Sequence, residues 1–300
     1  MKSPYHPWLH RYSILVAFCT LLLVVAGASV TSKEAGLTVP DWPLAYGQLL
    51  PPMGGLAMFE QGHRLIATAV GILTIVLAVW LSRVDRRSWM RKLGWYALGA
   101  VIVQGLLGRA TVLWLQPPAV SAAHACLAQM FFSMTAAIAV FTSRSWQDGA
   151  EMVNDYGTPS LRSLAIIAPI VVLIQIGLGA AFRHRALSLM PHIIGALVAT
   201  VTILLISVFV LTQFQNHKSL GPAARALLTI VCLQVFLGIA AYFARLQAAA
   251  YPLAMVLTTV AHVATGGLTL ASTAILSIQI RRNLRLTVPE AISSREAVTS

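Results

Sequence analysis

Four histidines sit where an ionisable side chain is costly, in or beside long apolar runs of the chain. His63, His124 and His262 precede Arg83, Arg144 and Arg281, and His192 precedes Gln213, in each case by about 20 residues. At about 1.5 Å per residue all four lie ~30 Å above a polar inner boundary, at the outer edge of a hydrocarbon layer. One histidine at such a depth reads as an interfacial group bonded to water or a carbonyl. Four at one level, two in each half of the chain, read as metal ligands. The other histidines lack the pattern. His6, His10 and His217 fall in polar inner segments and are expected to be solvated, and His184 lies between Arg183 and Arg185 in an outer loop.

Imidazole ligates iron, copper and zinc. Zinc or copper would draw in carboxylates, thiolates or denser histidine clusters, and Cys126 is the only thiol near the four. Two imidazoles on neighbouring helices, facing each other across a flat macrocycle, suit haem. The expectation is one site per half, His63 with His124 and His192 with His262. Haem propionates favour the aqueous edge and cationic partners. Arg64, Arg109, Arg183, Arg185 and Arg245 are the outer arginines that are candidates for them. Glu60 stands three residues before His63 and so shares its helix face. A carboxylate there could orient the imidazole, accept a proton or stabilise developing positive charge. Leu189 holds the matching place before His192. This asymmetry suggests that one site does chemistry and the other carries electrons.

These residues need elements that span a membrane. Of 300 residues 58% are apolar and 10% charged, and the mean hydropathy is +0.78. A water-soluble domain carries roughly a quarter charged residues, so that class is excluded. Continuous apolar runs, rather than short alternating ones, exclude a β-barrel. Runs at about 13–30, 63–82, 94–115, 119–143, 162–182, 190–212, 226–244 and 254–280 give an all-α membrane protein of eight transmembrane helices. The first run is expected to be a retained span. With the N-terminus inside, 15 of the 21 lysines and arginines fall in inner segments and six in outer ones. Both termini are thus expected in the cytoplasm. The net charge of +12 then reflects the bilayer partner and needs no nucleic acid. Cys19, Cys126 and Cys232 all lie inside apolar runs, so neither a disulfide nor a zinc site is expected.

The runs repeat. Gln104-Gly105-Leu106-Leu107-Gly108 matches Gln234-Val235-Phe236-Leu237-Gly238, and Gln175-Ile176-Gly177-Leu178-Gly179 is related. Ala123-His124 matches Ala261-His262, and Gly62-His63 is answered by Pro191-His192. The expected organisation is two tandem four-helix bundles. The N-terminal half covers 12–143, with a long outer loop at 31–62, and the C-terminal half covers 160–282. An even number of spans per half puts their pseudo-twofold axis along the membrane normal. The polar segment 283–300 is expected to be a disordered cytoplasmic tail.

The loop Gly36-Leu37-Thr38-Val39-Pro40-Asp41-Trp42-Pro43-Leu44, the Glu60-x-x-His63-Arg64 element, the repeated Gln-x-x-x-Gly spans and the four histidines together resemble the haem A synthases. This bacterial and mitochondrial family oxidises haem O to haem A for cytochrome oxidase assembly. The resemblance runs from about Arg11 to Arg282. It implies that His63 and His124 bind haem O and its product haem A, with Glu60 as catalytic carboxylate, and that His192 and His262 ligate haem b. The C8 methyl of the substrate would become the alcohol and then the aldehyde, with oxygen from water. A bacterial inner-membrane location, supply by a haem O synthase and an unidentified electron acceptor are further implications, and a homo-oligomer is left open. Many members carry a cysteine pair flanking the Trp-Pro of the first outer loop. Thr38 and Ala45 stand there in this chain, so a thiol role is absent.

Two other classes compete. A di-haem, quinone-linked electron-transfer cytochrome explains the histidines but leaves Glu60 and the long loop without a role. A transporter of two parallel repeats with histidine proton relays would favour ionisable groups near mid-membrane, where these helices are nearly free of charge.

Overall fold

The computed structural model describes residues 4–48, 54–155 and 159–285. Its long helices are α1 (Pro7–Ser32), α2 (Ala57–Val84), α3 (Ser88–Leu113) and α4 (Pro118–Thr142), then, after the single turn α5 (Arg144–Gln147), α6 (Leu161–Arg183), α7 (Leu189–Phe214), α8 (Leu220–Leu246) and α9 (Pro252–Asn283). Eight of these, among the described residues, are long and apolar enough to cross a membrane. Lipid offers the backbone no hydrogen bonds, so each apolar run must satisfy its own N–H and C=O groups, and a helix does so. Proline opens α1, α4 and α9, where its missing N–H would have had no helical partner anyway.

The helices outrun the apolar stretches that announce them. α1 takes in Trp8, His10 and Arg11, and α2 begins at Ala57, so Glu60 and His63 both lie in its first two turns. Both ends of the expected loop 31–62 are helical, since α1 runs to Ser32 and α2 starts at Ala57. Apolarity marks what lipid touches, whereas a helix runs on until a cap or a proline stops it. Pro51-Pro52 and the tail after Arg285 lie outside the described residues. The start of the expected tail is ordered: Asn283 ends α9, and β2 (Leu284–Arg285) pairs in parallel with β1 (Val153–Asn154). Asn283 and Leu284 are both buried. Two-residue strands carry no periodicity a sequence could reveal.

Packing separates into three apolar clusters. One draws on α1–α4, with Val16, Val70, Leu77, Leu81, Phe131 and Ile138 at its centre. A second draws on α6–α9, with Ala168, Ile206, Leu227, Leu276 and Ile280. A small third one, Val24, Phe132 and Ala271, joins α1, α4 and α9. α1 packs on α2 and α4, and α3 on the same two helices; α6 packs on α7 and α9, and α8 likewise. Between the groups α9 meets α1 and α4, while α4 also meets α6. The central helix α9 is unusually polar inside, yet its hydroxyls need no outside partner. Thr265, Thr269, Thr273 and Ser277 each bond the carbonyl four residues back at 2.7–2.9 Å.

His217 is not solvated. It is 6% exposed, and its Nδ1 accepts the N–H groups of Ser219 and Leu220 at 3.1 and 3.2 Å while Nε2 faces the carbonyl of Glu151 at 2.9 Å. It thus caps the start of α8, a role its polar neighbours Gln215, Asn216 and Lys218 conceal.

Candidate functional site

The four histidines occupy α2, α4, α7 and α9, each near the outer end of its helix. Every one of these imidazoles lies over a glycine of the preceding long helix. A Cβ added to Gly27, Gly108, Gly179 or Gly238 would come within 3.1, 3.3, 2.8 or 2.9 Å of Cε1 of His63, His124, His192 or His262. No side chain other than glycine leaves these rings where they are.

The residue one turn before each glycine holds the histidine. Gln104 Nε2 donates to the His124 carbonyl at 3.0 Å and lies 3.4 Å from the ring Nε2. Gln175 Nε2 donates to the His192 carbonyl at 3.0 Å and meets Nδ1 at 3.0 Å. Gln234 uses its backbone oxygen, 3.2 Å from His262 Nδ1. Leu23 takes this place in α1, and its backbone reaches the ring of His63. The Gln-x-x-x-Gly element is therefore a seat: one residue fixes the histidine, and the next turn makes room for its ring. Three of the four seats show in the sequence as a repeat. The fourth is hidden because leucine replaces glutamine, although Gly27 keeps the spacing. Gly238→Val is expected to push His262 off its seat and lower occupancy of that site by about 10–100-fold, the usual cost of losing a ligand's supporting shell. Metal content and absorbance per mole of purified protein measure this.

The structure brings His192 and His262 together: their rings have centroids 6.3 Å apart and planes at 87°. His63 and His124 stand on α2 and α4, each over its own glycine. Two nitrogen–metal bonds of about 2.0 Å, with the ring radii added, put the centroids of two axial imidazoles roughly 6 Å apart. The His192–His262 spacing fits that requirement. His262 directs Nδ1 at a carbonyl, which leaves Nε2 free to bind a metal. In the first helix group the backbone of Leu23 approaches the His63 ring and that of Gln104 the His124 ring, as that of Gln234 does for His262.

Beside His63 the outer loop is clamped to α2. Glu60, 4% exposed, accepts hydrogen bonds from Thr38 Oγ1 and the Val39 N–H, both at 3.0 Å, and pairs with Arg64 Nη2 at 2.8 Å. Arg64 also donates to the carbonyls of Asp41, Leu44 and Val39 at 2.8, 3.0 and 3.3 Å. Asp41 in turn accepts the N–H groups of Tyr46 and Gly47, each at 2.8 Å, and the Tyr46 hydroxyl donates to the Thr38 carbonyl. Arg109, from the end of α3, lies over the Trp42 ring at 5.5 Å. The loop thus forms a fixed roof over the His63 end of the bundle. Glu60 spends its hydrogen bonds on this roof and on Arg64, not on the imidazole.

The Gly47 N–H, above all, holds the Asp41 carboxyl below its ordinary value, with Tyr46 and Arg64 adding to the effect and burial opposing it. A depressed carboxylate contributes order above its unfolded value and loses it as pH falls through the lowered one. The protection factors of the Tyr46 and Gly47 amides, exchange rates divided into their intrinsic values at each pH, are therefore expected to be high at neutral pH and to fall on acidification below the ordinary carboxylate range. Asp41→Asn should abolish that pH dependence.

The remaining outer arginines form a second group. Arg183 donates to the Thr31 carbonyl at 2.6 Å, tying α6 to the end of α1. Arg245 lies 5.4 Å over Phe182, which stacks at 9° on His192. Arg185 faces Glu34 at 3.8 Å, with both side chains exposed. His184 caps α6 and is partly buried. Burial first, then the Arg183 charge, pushes its titration down.

Fold and site define a class: a polytopic α-helical membrane protein with four glycine-seated histidines and a fixed carboxylate near the N-terminal ends of its helices. Comparison with known proteins narrows this. A family profile described as "Cytochrome oxidase assembly protein" (COX15-CtaA) matches residues 10–56 and 54–192, and the chain belongs to that family. It is similar to the Heme A synthase of Alkalihalophilus pseudofirmus, 30% identical over 149 residues and 49% of either chain. It is likewise similar to the Heme A synthase of Exiguobacterium sibiricum, 29% identical over 177 residues and 58% of either chain. The Heme A synthase of Bacillus licheniformis is 24% identical over 262 residues, 78% of this chain and 86% of its own. In the first two matches the chain spans about half the length of the relative.

Proposed function

We propose that this protein is a haem A synthase, which oxidises the C8 methyl of haem O to a formyl group for cytochrome oxidase assembly. One observation carries the reading: four histidines sit over glycines near the N-terminal ends of α2, α4, α7 and α9, and the buried Glu60 carboxylate stands one turn before His63, where Leu189 stands before His192. Family membership and the relatives' printed names support it.

The chain is organised as two tandem halves, 12–143 and 160–282, about a pseudo-twofold along the membrane normal, with both termini cytoplasmic. Reciprocal packing supports this arrangement: α1 meets α9 as α6 meets α4. The N-terminal half takes haem O between His63 and His124. Its methyl loses electrons and becomes an electron-poor carbon, which the Glu60 carboxylate stabilises electrostatically from a position fixed by Thr38, Val39 and Arg64. Water supplies the oxygen, first to the alcohol and then to the aldehyde. The C-terminal half holds haem b between His192 and His262. When bound, that group supplies a one-electron carrier for what the substrate gives up.

Arg109, Arg183, Arg185 and Arg245 are the proposed propionate partners, whereas Arg64 holds the loop. A haem O-producing enzyme must supply the substrate. Purified protein in lipid nanodiscs, given haem O and an oxidant, should yield extractable haem A. Unchanged haem O under those conditions would overturn the proposal.

A further inference from the structure

We propose that the cleft between the outer ends of α1, α2 and α9 binds a membrane quinone, which takes the electrons released at the haem sites; this rests on the haem A synthase reading above. The cleft has a volume of about 480 Å³, well within the range of small-molecule sites at domain junctions. Leu56, Pro252, Leu253, Met255 and Val256 form its apolar wall, and Ser32, Lys33 and the Glu34 carboxylate supply the polar end. Ser32 is 4% exposed, and its hydroxyl has no hydrogen-bond partner. The Lys33 ammonium is steadied over the Phe59 ring at 4.5 Å. Two donors above an apolar wall match a carbonyl head group on an isoprenoid tail. A lipid acyl chain would fit the wall but leave the buried hydroxyl unanswered.

Position supports the same occupant. Val256 stands six residues before His262 on α9, about 9 Å along the helix, and Leu56 stands seven before His63, about 10 Å away. The cleft therefore lies about two turns from His262 along α9 and from His63 along the start of α2. Turning a methyl into a formyl group consumes one water and releases four electrons and four protons. Two quinones accept two electrons and two protons each and leave as quinols, which balances the reaction with lipid-soluble species throughout.

The test uses haem-loaded protein in nanodiscs: wild type, Ser32→Ala and Val256→Trp, each reduced with dithionite freed of excess. Oxidation of the haem is followed after mixing with decylubiquinone and, separately, with ferricyanide. An azidoquinone photolabel is mapped on the same proteins. Val256→Trp should slow oxidation by decylubiquinone more than about tenfold, through a blocked cleft. Ser32→Ala, which removes one hydrogen bond, should slow it about two- to tenfold. Ferricyanide oxidation and haem content should be unchanged, and the label should fall near Ser32 and Val256. Wild-type quinone rates in both variants, or labelling elsewhere, would overturn the proposal. So would a raised KM for haem O with unchanged quinone oxidation, since the cleft would then hold the substrate's tail. Absence of haem from wild type would overturn the underlying reading instead, and the photolabel would still test the cleft.

Discussion

His262→Ala is expected to abolish the low-spin b-type spectrum while leaving haem O or haem A bound in the other half. The imidazole faces His192 at a centroid distance of 6.3 Å, and Gln234 holds its other nitrogen. Removing it takes away one of two axial ligands and opens a void that no neighbour fills. Loss of a mere supporting partner commonly costs 10–100-fold in metal affinity, so loss of the ligand should cost more than about 100-fold. His192→Ala should behave alike, and His63→Ala and His124→Ala should spare the b-type signal and lose the substrate pigment. Difference spectra of the purified variants measure this directly. A full b-type spectrum in His262→Ala or His192→Ala would mean that the sites are assigned to the wrong halves.

Glu60→Gln should retain both pigments and lower conversion of haem O to haem A by about 10²–10³-fold, the range seen when one preorganised electrostatic partner is removed. Glutamine is the informative replacement. Glu60 also anchors the roof through Thr38, Val39 and Arg64, so Glu60→Ala would both remove the charge and free the loop. Glutamine keeps an acceptor for Thr38 and the Val39 N–H, but it loses the charge together with the Arg64 ion pair, while Arg64 retains its three loop carbonyls. Protection of the loop from protease should persist in Glu60→Gln and fall in Glu60→Ala, with conversion lost in both. Normal turnover in Glu60→Gln would refute the role given to the carboxylate.

The spans and the depth of the histidines are legible in the amino-acid order because both signals are one-dimensional. Span length follows from bilayer thickness, and depth follows from rise per residue. Which faces meet is a matter of three dimensions. The glycine seats depend on contacts between helices, so Gln-x-x-x-Gly reads only as a repeat, and Gly27 is masked by Leu23 one turn earlier. Arg64 reads as a free outer cation, yet the loop carbonyls of Val39, Asp41 and Leu44 need donors, and Arg64 is the donor in reach. The Thr38 hydroxyl bonds Glu60, a link that no sequence pattern announces. His217 reads as solvated because its neighbours are polar, while only the fold reveals the helix start it caps.

Each long helix pair repeats one small design, a glycine and a histidine facing across two helices, and the outer loop makes one of the four ends different. The most direct test of that design is extraction and chromatography of the pigments carried by purified protein. Haem b together with haem O or haem A is the predicted result. Protein that binds no haem, with its four imidazoles intact, would contradict the account at its root.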